Sequence, residues 1–409
     1  MPIISATELD EFVAKTDSLG GPGSKDARAF WGDFQYKPVV FVDDALDPYS
    51  EEYFNQQCAL YKELSHREIR PQANELTPFE IENHIYAPNP YGVRDPSKFV
   101  LHFLRLGFVI ERAQLPPTPN VLDMGAGWGL SSEFLATLGA RVTAVDINPS
   151  FVELIRRRQA LHKNDIKAIV GTFDDFEPDE RFDAILFYEC LHHAMKPWEL
   201  IARAQRWLNS GGKIVFAGEP VNNNWWRHWG LRLDAESVYC IRKFGWFESG
   251  WSKDFIVQCF RRSGMSVDFI ESSHPEVGAA CVATKITMED LLAPRQLRGF
   301  IDFDGWSIAD DHITSMGDGE MTITQVEAVR DVTFDVMNYR PKAINISISN
   351  EGRVVRSLSA PPGKSTIRYK LERPITRLRF VSDTWIPSQE IGNADTRSIS
   401  FCITGATFS

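Results

Sequence analysis

"VLDMGAGWGLSSEFLA", residues 121–136, joins an apolar run, three closely spaced glycines and a helix-like segment. The apolar residues predict a buried strand. Gly125, Gly127 and Gly129 predict a tight loop whose backbone passes close beneath a ligand. The segment after the loop predicts a helix whose free N–H groups and positive dipole end face that ligand. The G-x-G-x-G spacing also differs from the G-x-G-x-x-G of dinucleotide enzymes.

Short apolar runs continue to alternate with helical stretches after this unit, which is typical of a parallel sheet with helices on both faces. The runs are "ARVTAVDI", "IKAIVGT", "FDAILFYE" and "GGKIVFAGE". Two later runs, "MSVDFIES" and "GAACVATKI", flank a short loop that contains His274 and Pro275. They predict a hairpin that ends the sheet with an antiparallel strand.

Three segments with different patterns predict three domains. Residues 1–115 lack repeated strand signals and predict an N-terminal helical cap, with Tyr53, Leu60, Tyr61 and Leu64 at helical spacing. Residues 116–293 contain the α/β pattern. Residues 294–409 contain short alternating runs separated by turns such as Asn350-Glu351-Gly352, which predict a C-terminal β-sandwich.

The composition is that of an ordinary globular protein, with 43% hydrophobic and 24% charged residues among 409. The net charge of -11 disfavours nucleic acid as the main partner. The N-terminus does not resemble a secretory signal, and no apolar run reaches the ~18–20 residues of a membrane span. Six scattered cysteines predict reduced thiols and a cytoplasmic location.

Acidic and polar residues stand at the predicted ends of the next two strands. Asp146 ends the second strand, where a carboxylate is placed to accept hydrogen bonds from both ribose hydroxyls. Thr172, Phe173 and Asp174 follow the third strand, where they are placed to flank an adenine ring and bond its amine. Asp174 and Asp175 have a purely structural alternative as helix-capping or solvent-exposed residues, which we favour for Asp175.

These motifs together resemble the class I S-adenosylmethionine-dependent methyltransferase family over roughly residues 118–290. The resemblance implies a Rossmann-like, seven-stranded methyltransferase sheet and S-adenosylmethionine as the cofactor. It also implies that Asp123 and the loop Gly125–Gly129 hold the methionine moiety, that Asp146 binds ribose, and that the adenine lies at 172–174. The expected cofactor-binding residues are Asp123, Gly125, Ala126, Gly127, Gly129, Asp146, Ile147, Thr172, Phe173, Asp174, Tyr188 and Glu189.

The run "FDAILFYECLHH" places His192 and His193 at the ligand-binding end of the fourth strand. Methyl transfer to a hydroxyl requires removal of its proton, and histidine suits that role because its unperturbed pKa is near neutrality. Glu219, after the fifth strand, is a second candidate base, with a salt bridge to Arg227 or Arg232 as its structural alternative. A helix-start or packing role remains open for the histidines, and no metal site is expected because no ligand-spaced acids accompany the pair.

Residues 219–255 contain five of the 11 tryptophans and predict a lid over the acceptor. Indole rings beside charged side chains suit sugars, although the same rings also serve as plain core. The expected substrate residues are Trp225, Trp226, Trp229, Arg232, Trp246, Glu248 and Trp251. With "YKELSHREI", "NELTPFEIENHI" and "RFVSDTWIPSQEIGNADTRSISF", this segment is similar to bacterial methyltransferases associated with surface polysaccharides and glycosyltransferases.

That resemblance implies O-methylation of a glycan or nucleotide-sugar hydroxyl by direct SN2 transfer. It also implies either a homo-oligomer or a glycosyltransferase partner, with the C-terminal domain serving in glycan binding, assembly or stability. Three alternatives stay open. One is a methyltransferase of a small metabolite, lipid or amine, the second is a non-catalytic cofactor-binding assembly protein, and the third is a nicotinamide oxidoreductase, which the glycine spacing fits poorly.

Overall fold

The computed structural model describes residues 3–76, 80–285, 301–308, 313–323, 331–350, 353–370, 377–393, 395 and 397–408. The chain divides into two compact units, Met1–Val257 with Val267–Ala283, and Gln258–Ser266 with Thr284–Ser409. The helices of the predicted cap thus share one unit with the parallel sheet. The predicted boundary at 293/294 lies outside the described residues. Among the helices described, none is long and apolar enough to cross a membrane.

The N-terminal part of the first unit is mostly helical. Its elements are β1 (Ile3–Ile4), α1 (Leu9–Ser18), α2 (Lys25–Trp31), β2 (Gln35–Tyr36), α3 (Glu51–Ser65), α4 (Pro71–Asn74), α5 (Glu82–Ile85) and α6 (Pro96–Ala113). The helical spacing read from the sequence is confirmed in α3, whose Tyr53, Leu60, Tyr61 and Leu64 are all buried. Ser50 caps this helix by accepting a hydrogen bond from the Tyr53 N–H.

The central sheet has seven strands in the described part of the chain, in the order β10-β11-β7-β6-β3-β4-β5. Its strands are β3 (Asn120–Met124), β4 (Arg141–Asp146), β5 (Ile166–Val170), β6 (Phe182–Tyr188), β7 (Leu208–Ala217), β10 (Met265–Glu271) and β11 (Ala279–Lys285). The five strands β3–β7 pair in parallel. The predicted Rossmann-like sheet is therefore confirmed, and the two later runs form neighbouring strands at its edge.

Helices cover the faces of this sheet, as its continuous apolar strands require. They include α6, α7 (Leu130–Thr137) and α8 (Pro149–His162), whose apolar residues belong to the core of the sheet. Two further helices of this part of the chain are α9 (Pro197–Ala204) and α11 (Lys253–Arg262). Every residue of β3 is buried, including Asp123. The parallel pairing brings the carboxyl ends of β3, β4 and β6 to one edge, where the functional loops follow.

The tryptophan-rich insertion contains a two-stranded antiparallel ribbon, β8 (Trp229–Leu231) and β9 (Ser249–Trp251), with α10 (Ala235–Lys243) between its strands. It packs on the N-terminal helices through specific hydrogen bonds. The Tyr53 hydroxyl donates to the Trp229 carbonyl (2.6 Å), and the Phe247 N–H donates to Glu75 (2.8 Å). The insertion and the N-terminal helices thus form a single cover for the sheet.

The C-terminal unit contains β12 (Ile301–Ile308), β13 (Ile313–Ile323), β14 (Asp331–Asn338), β15 (Ile344–Asn350), β16 (Arg353–Ala360), β17 (Gly363–Lys370), β18 (Arg377–Ser382), α12 (Pro387–Glu390) and β19 (Cys402–Phe408). Within the described ranges these strands form one eight-stranded antiparallel sheet. The predicted antiparallel β structure is thus observed, but as one continuous sheet rather than clearly as the two sheets of a sandwich. In the predicted turn 350–352, residues 351 and 352 lie outside the described residues.

This sheet is strongly bent. Strand β13 pairs with β19 through Ile313 and Thr314 and with β18 through 318–322, so it passes from one half of the sheet to the other. Gly317, at φ +107°, lies between the two pairings. The Phe334 and Phe380 rings, which belong to strands three positions apart, are 5.4 Å from each other. A flat sheet would separate these strands by about 14 Å, so the halves face each other.

Candidate functional site

A cavity of about 400 Å³ opens at the carboxyl ends of β3, β4 and β6. Twelve of the residues expected from the sequence line it: Gly125, Ala126, Gly127, Asp146, Ile147, Thr172, Phe173, Asp174, Tyr188, Glu189, His193 and Trp246. Other lining residues carried no sequence signal, among them Glu75, Tyr91, Trp128 and Met195. The cavity therefore combines the three strand ends with side chains from the N-terminal helices and the insertion.

The glycine loop forms the floor of this cavity. The N–H groups of Gly125 and Ala126 both donate to the Val145 carbonyl, at 2.8 and 3.0 Å, which ties the loop to β4. Gly125 has φ +68°, and a Cβ there would lie 2.9 Å from the Cys190 side chain. A Cβ on Gly127 would meet nothing within 4 Å. The loop thus needs glycine at 125 for close packing and leaves open space above 127.

Asp146 organises the loop from the end of β4. Its carboxylate accepts hydrogen bonds from the N–H groups of Gly127 (2.7 Å) and Asn148 (2.8 Å). Burial raises the pKa of Asp146 to about 6. Because the side chain also lines the cavity, its remaining acceptor capacity is available to a ligand hydroxyl.

Asp123 lies beneath the loop rather than in the cavity lining. Its Oδ2 accepts hydrogen bonds from the hydroxyls of Ser131 (2.7 Å) and Ser132 (2.5 Å), and the side chain is buried. It therefore fastens the start of α7 to β3 and supports the loop, whereas the resemblance implied direct contact with the methionine moiety. Burial raises the pKa of Asp123 to about 6.

The predicted adenine end is a short turn after β5. Asp175 accepts hydrogen bonds from the N–H (2.9 Å) and hydroxyl (2.5 Å) of Thr172, so it closes the turn, in keeping with the structural role favoured above. Arg203 donates to the carbonyls of Phe173 and Asp174 and holds the turn from outside. This arrangement leaves Phe173 and the exposed Asp174 at the cavity.

Tyr188 and Glu189 meet two α6 side chains that the sequence did not single out. The Tyr188 hydroxyl is hydrogen-bonded to His102 Nδ1 at 2.7 Å, and Arg105 pairs with the Glu189 carboxylate. Glu189 has φ +53°, a conformation that non-glycine residues seldom adopt outside functional sites. Helix α6 thus fixes two residues that line the cavity.

The two histidines have different surroundings. His192 is buried, its Nδ1 lies 2.8 Å from Glu219 Oε2, and its Nε2 lies 3.4 Å from Glu248 Oε2. Burial lowers the pKa of His192, but the two carboxylates outweigh this effect and raise it to about 10. His192 is not among the cavity-lining residues, and each of its ring nitrogens faces a carboxylate.

Glu219 is also occupied by structural contacts. Its carboxylate accepts hydrogen bonds from the N–H groups of Cys190, Leu191 and His192, at 2.9 to 3.1 Å, besides the contact with the His192 ring. These bonds shape the turn that contains the histidines. The structure thus places Glu219 as a support for this turn rather than as a base, and Arg232 pairs with Asp234 and Glu248.

His193 faces the cavity. Its Nδ1 is buried, makes no hydrogen bond, and lies 3.3 Å from Glu75 Oε2. The edge of the Trp246 ring approaches the imidazole with centroids 6.2 Å apart. His193, Glu75 and Trp246 therefore define one end of the cavity, which we call the acceptor end.

The remaining tryptophans divide between packing and exposure. Trp229 and Trp251 are almost completely buried, so they are core residues of the ribbon. Trp225 is 55% exposed and packs edge-on against Trp226, outside the cavity lining. Trp246 is thus the member of the predicted tryptophan set that the structure brings to the cavity.

Comparison with known proteins places the cavity in a family context. Residues 122–216 match the family model described as Methyltransf_11, methyltransferase domain. The ubiquinone biosynthesis O-methyltransferase of Xanthomonas oryzae pv. oryzae (strain PXO99A) is 31% identical over 153 residues, which cover 36% of this chain and 64% of the relative. The protein of the same name from Coxiella burnetii (strain Dugway 5J108-111) is 30% identical over 152 residues, or 37% and 63%. The chain therefore spans slightly less than two thirds of these relatives.

Solved structures are similar to part of the chain. The glycopeptide N-methyltransferase MtfA has 18% identity and a TM-score of 0.35, covering 47% of this chain and 100% of that chain. The YcgJ protein of Bacillus subtilis has 20% identity and a TM-score of 0.35, covering 42% and 71%. Residues 122–216 therefore match a methyltransferase domain, and the curated relatives that share this part of the chain are O-methyltransferases.

Proposed function

We propose that this chain is an S-adenosylmethionine-dependent O-methyltransferase that acts on a carbohydrate hydroxyl, either of a glycan or of a nucleotide sugar. The observation that carries this proposal is the composition of the cavity. Its floor is the glycine loop with Asp146, and its acceptor end combines the Trp246 ring with Glu75 and His193. An indole face suits the C–H surface of a sugar ring, while a carboxylate and an imidazole suit its hydroxyls.

In this proposal the cofactor lies along the carboxyl ends of the strands. Asp146 accepts hydrogen bonds from the ribose hydroxyls, the turn at Phe173 and Asp174 holds the adenine, and the residues at 188–189 lie near the methionine end. The acceptor oxygen attacks the methyl carbon in line with the departing sulfur, and the C–S electron pair stays on sulfur to give S-adenosylhomocysteine. The hydroxyl proton leaves on the side of His193, because His193 faces the cavity and His192 does not.

Two of the three residues that define the acceptor end lie outside the family match. The match ends at residue 216, whereas Trp246 belongs to the insertion and Glu75 to the N-terminal segment. The names of the curated relatives place those proteins in ubiquinone biosynthesis. They favour O-methylation of a phenolic hydroxyl as a second candidate function. A glycosyltransferase partner, a homo-oligomer and the role of the C-terminal unit stay predictions.

An acceptor screen tests the proposal. The full chain is incubated with methyl-labelled S-adenosylmethionine and either nucleotide sugars and oligosaccharides or catechols and phenols. We expect a mass increase of one methyl group on a sugar, and His193→Ala should lower turnover at least ~100-fold while cofactor affinity is retained. Transfer to phenols alone would replace the carbohydrate proposal with the second candidate. Binding of S-adenosylmethionine without transfer to either class would favour the non-catalytic alternative.

A tryptophan pair tests the assignment of the acceptor end. Trp246→Ala should raise KM for the sugar acceptor roughly 10-fold, because it removes a stacking surface worth about 1–2 kcal/mol. Trp225→Ala is the matched control, since that exposed ring lies outside the cavity lining, and it should leave KM unchanged. Equal effects of the two variants on KM would contradict this assignment.

A further inference from the structure

We propose that His192, His193 and Glu248 bind a divalent transition-metal cation of the zinc class at the acceptor end of the cavity. This inference rests on the proposed function, because it assigns the cation a role toward the acceptor hydroxyl. One ligand atom from each of the three side chains lies within 4.8 Å of the others. Two imidazoles and one carboxylate are a donor set of catalytic zinc sites and of other first-row transition metals.

The distance between His192 and Glu248 suits two metal ligands better than a hydrogen-bonded pair. His192 Nε2 and Glu248 Oε2 are 3.4 Å apart. Hydrogen bonds of this type usually measure about 2.7–3.2 Å. Two ligand atoms placed about 2.0–2.2 Å from a tetrahedral zinc ion are separated by about 3.4 Å. A cation therefore fits between these atoms without a change in their separation.

The second nitrogen of His192 is already held in the manner of a metal-binding histidine. Its Nδ1 lies 2.8 Å from Glu219 Oε2, and Glu219 is itself fixed by backbone N–H groups. Such a carboxylate partner orients the ring and directs Nε2 toward a metal. A bound cation takes the place of the proton that Nε2 otherwise carries, since metal ligands lose their protons on binding.

His193 supplies an independent observation. Its Nδ1 is buried and makes no hydrogen bond, although it lies 3.3 Å from Glu75 Oε2. Buried polar atoms without a hydrogen-bond partner are rare in folded proteins, and some of them are ligands of a bound ion. The His192 and His193 rings also lie side by side, with centroids 4.4 Å apart. A cation held by the cluster would be coordinated by one ring nitrogen of each histidine.

The local charge also favours a cation. Glu75, Glu219 and Glu248 bring three carboxylates to the histidine pair, and the Arg232 guanidinium, 3.5 Å from Glu248 Oε2, supplies one positive charge. Arg232 also pairs with Asp234, so the carboxylates at the histidine pair outnumber the guanidinium groups beside them. A divalent cation offsets that negative charge, whereas buried charges without partners are strongly unfavourable.

Three protein ligands leave the fourth position of a tetrahedral cation for an acceptor oxygen. His193 lines the cavity, and our proposal places the fourth position on that side, toward the acceptor end. Coordination makes the hydroxyl more acidic. In this form His193 serves as a ligand, and the hydroxyl proton passes to the Glu75 carboxylate, which also lines the cavity. The coordinated oxygen then attacks the methyl group as described above.

A metal titration of the full-length protein tests this inference. After treatment with a chelator, the protein is titrated by calorimetry with Zn²⁺ and by visible spectroscopy with Co²⁺. We expect one ion per chain and the absorption of tetrahedral Co²⁺. Glu248→Gln and His193→Ala should each weaken binding at least 10-fold. Glu236→Gln, which changes another carboxylate of the insertion, is the matched control and should bind as the wild type does.

Binding of S-adenosylmethionine by each variant serves as the check on folding. Absence of binding by the wild type, or equal Zn²⁺ affinity in the wild type, Glu248→Gln and His193→Ala, would overturn the inference. The titration needs no acceptor. A failed metal titration therefore leaves the proposed methyl transfer standing, and failure of methyl transfer in the acceptor screen leaves the metal result intact.

Discussion

Two buried carboxylates near the glycine loop should make the stability of the folded chain depend on pH. Burial raises the pKa values of Asp123 and Asp146 to about 6 in the folded chain. An unfolded aspartate has a pKa of about 3.9. Each group therefore favours the folded state fully below about pH 4, and that contribution is lost as the pH rises through about 6.

Asp123→Asn should make the stability of the cofactor-free protein less dependent on pH. A pKa difference of about 2 units corresponds to about 3 kcal/mol. The loss of unfolding free energy between pH 4 and pH 7.5 should therefore be smaller than in the wild type by up to about 3 kcal/mol. Urea unfolding at the two pH values measures it. Asp175→Asn is the control, because hydrogen bonds from Thr172 lower the pKa of Asp175. Its contribution to stability is lost only below about pH 4, so this variant should hardly alter the difference between the two pH values.

For single residues, the sequence predicts a position in the site when that position is set by the strand that the residue ends or follows. Asp146 and Phe173 follow buried strands, so their place at the sheet edge could be inferred before the structure was known. Glu75 and Glu248 could not be found in this way, because distant segments bring them to the histidines. The different surroundings of His192 and His193 also depend on those two carboxylates.

At the scale of the elements, the two-stranded ribbon of the insertion is held by cross-strand pairs of tryptophans and glycines. Trp229 pairs with Trp251 across the two strands, and both rings are buried. Gly230 and Gly250 form the next pair, and the Trp226 ring lies over them. A Cβ on Gly250 would lie 2.3 Å from Trp226 Cη2, so this glycine is required by packing.

Gly250→Ala should displace the Trp226 ring and lower the free energy of unfolding by about 1–3 kcal/mol, as overpacking usually does. Gly23→Ala is the matched control, because a Cβ there meets nothing within 4 Å. Urea unfolding measures both variants. Equal stability of the two variants would show that the ring adjusts without cost and that the glycine pair is not required.

Element patterns explain why the strands and α3 were predictable while the roles of the individual tryptophans in the insertion were not. The spacing of apolar residues in strands and helices depends only on which face of the element is buried, and the structure contains the strands and helices that this spacing predicts. The separation of packing tryptophans from the cavity-lining Trp246 depends on contacts with α3 and the ribbon. The antiparallel strands of the C-terminal unit were predictable, but their arrangement as one bent sheet was not, because no local pattern shows that β13 pairs with strands of both halves.

At the scale of the whole molecule, the N-terminal segment and the sheet belong to the same unit because buried charged groups join them. Arg158 of α8 is only 1% exposed. It forms two hydrogen bonds with the Glu133 carboxylate and donates to the carbonyls of His84, Ile85 and Ala87. The sequence suggested a separate cap because the arginine lies in a helix with no visible link to 84–87.

Arg158→Met should therefore destabilise the whole unit. It leaves the Glu133 carboxylate and three carbonyls without their donor, and breaking a buried ion pair in this way costs about 3–5 kcal/mol. Arg157→Met is a stringent control from the adjacent position. Arg157 pairs with Glu82 and Glu153, but its side chain is 44% exposed, so its loss should change the unfolding free energy by less than about 1 kcal/mol. If both variants unfold at the same urea concentration, the N-terminal segment is held mainly by its apolar contacts, and the buried arginine does not account for the shared unit.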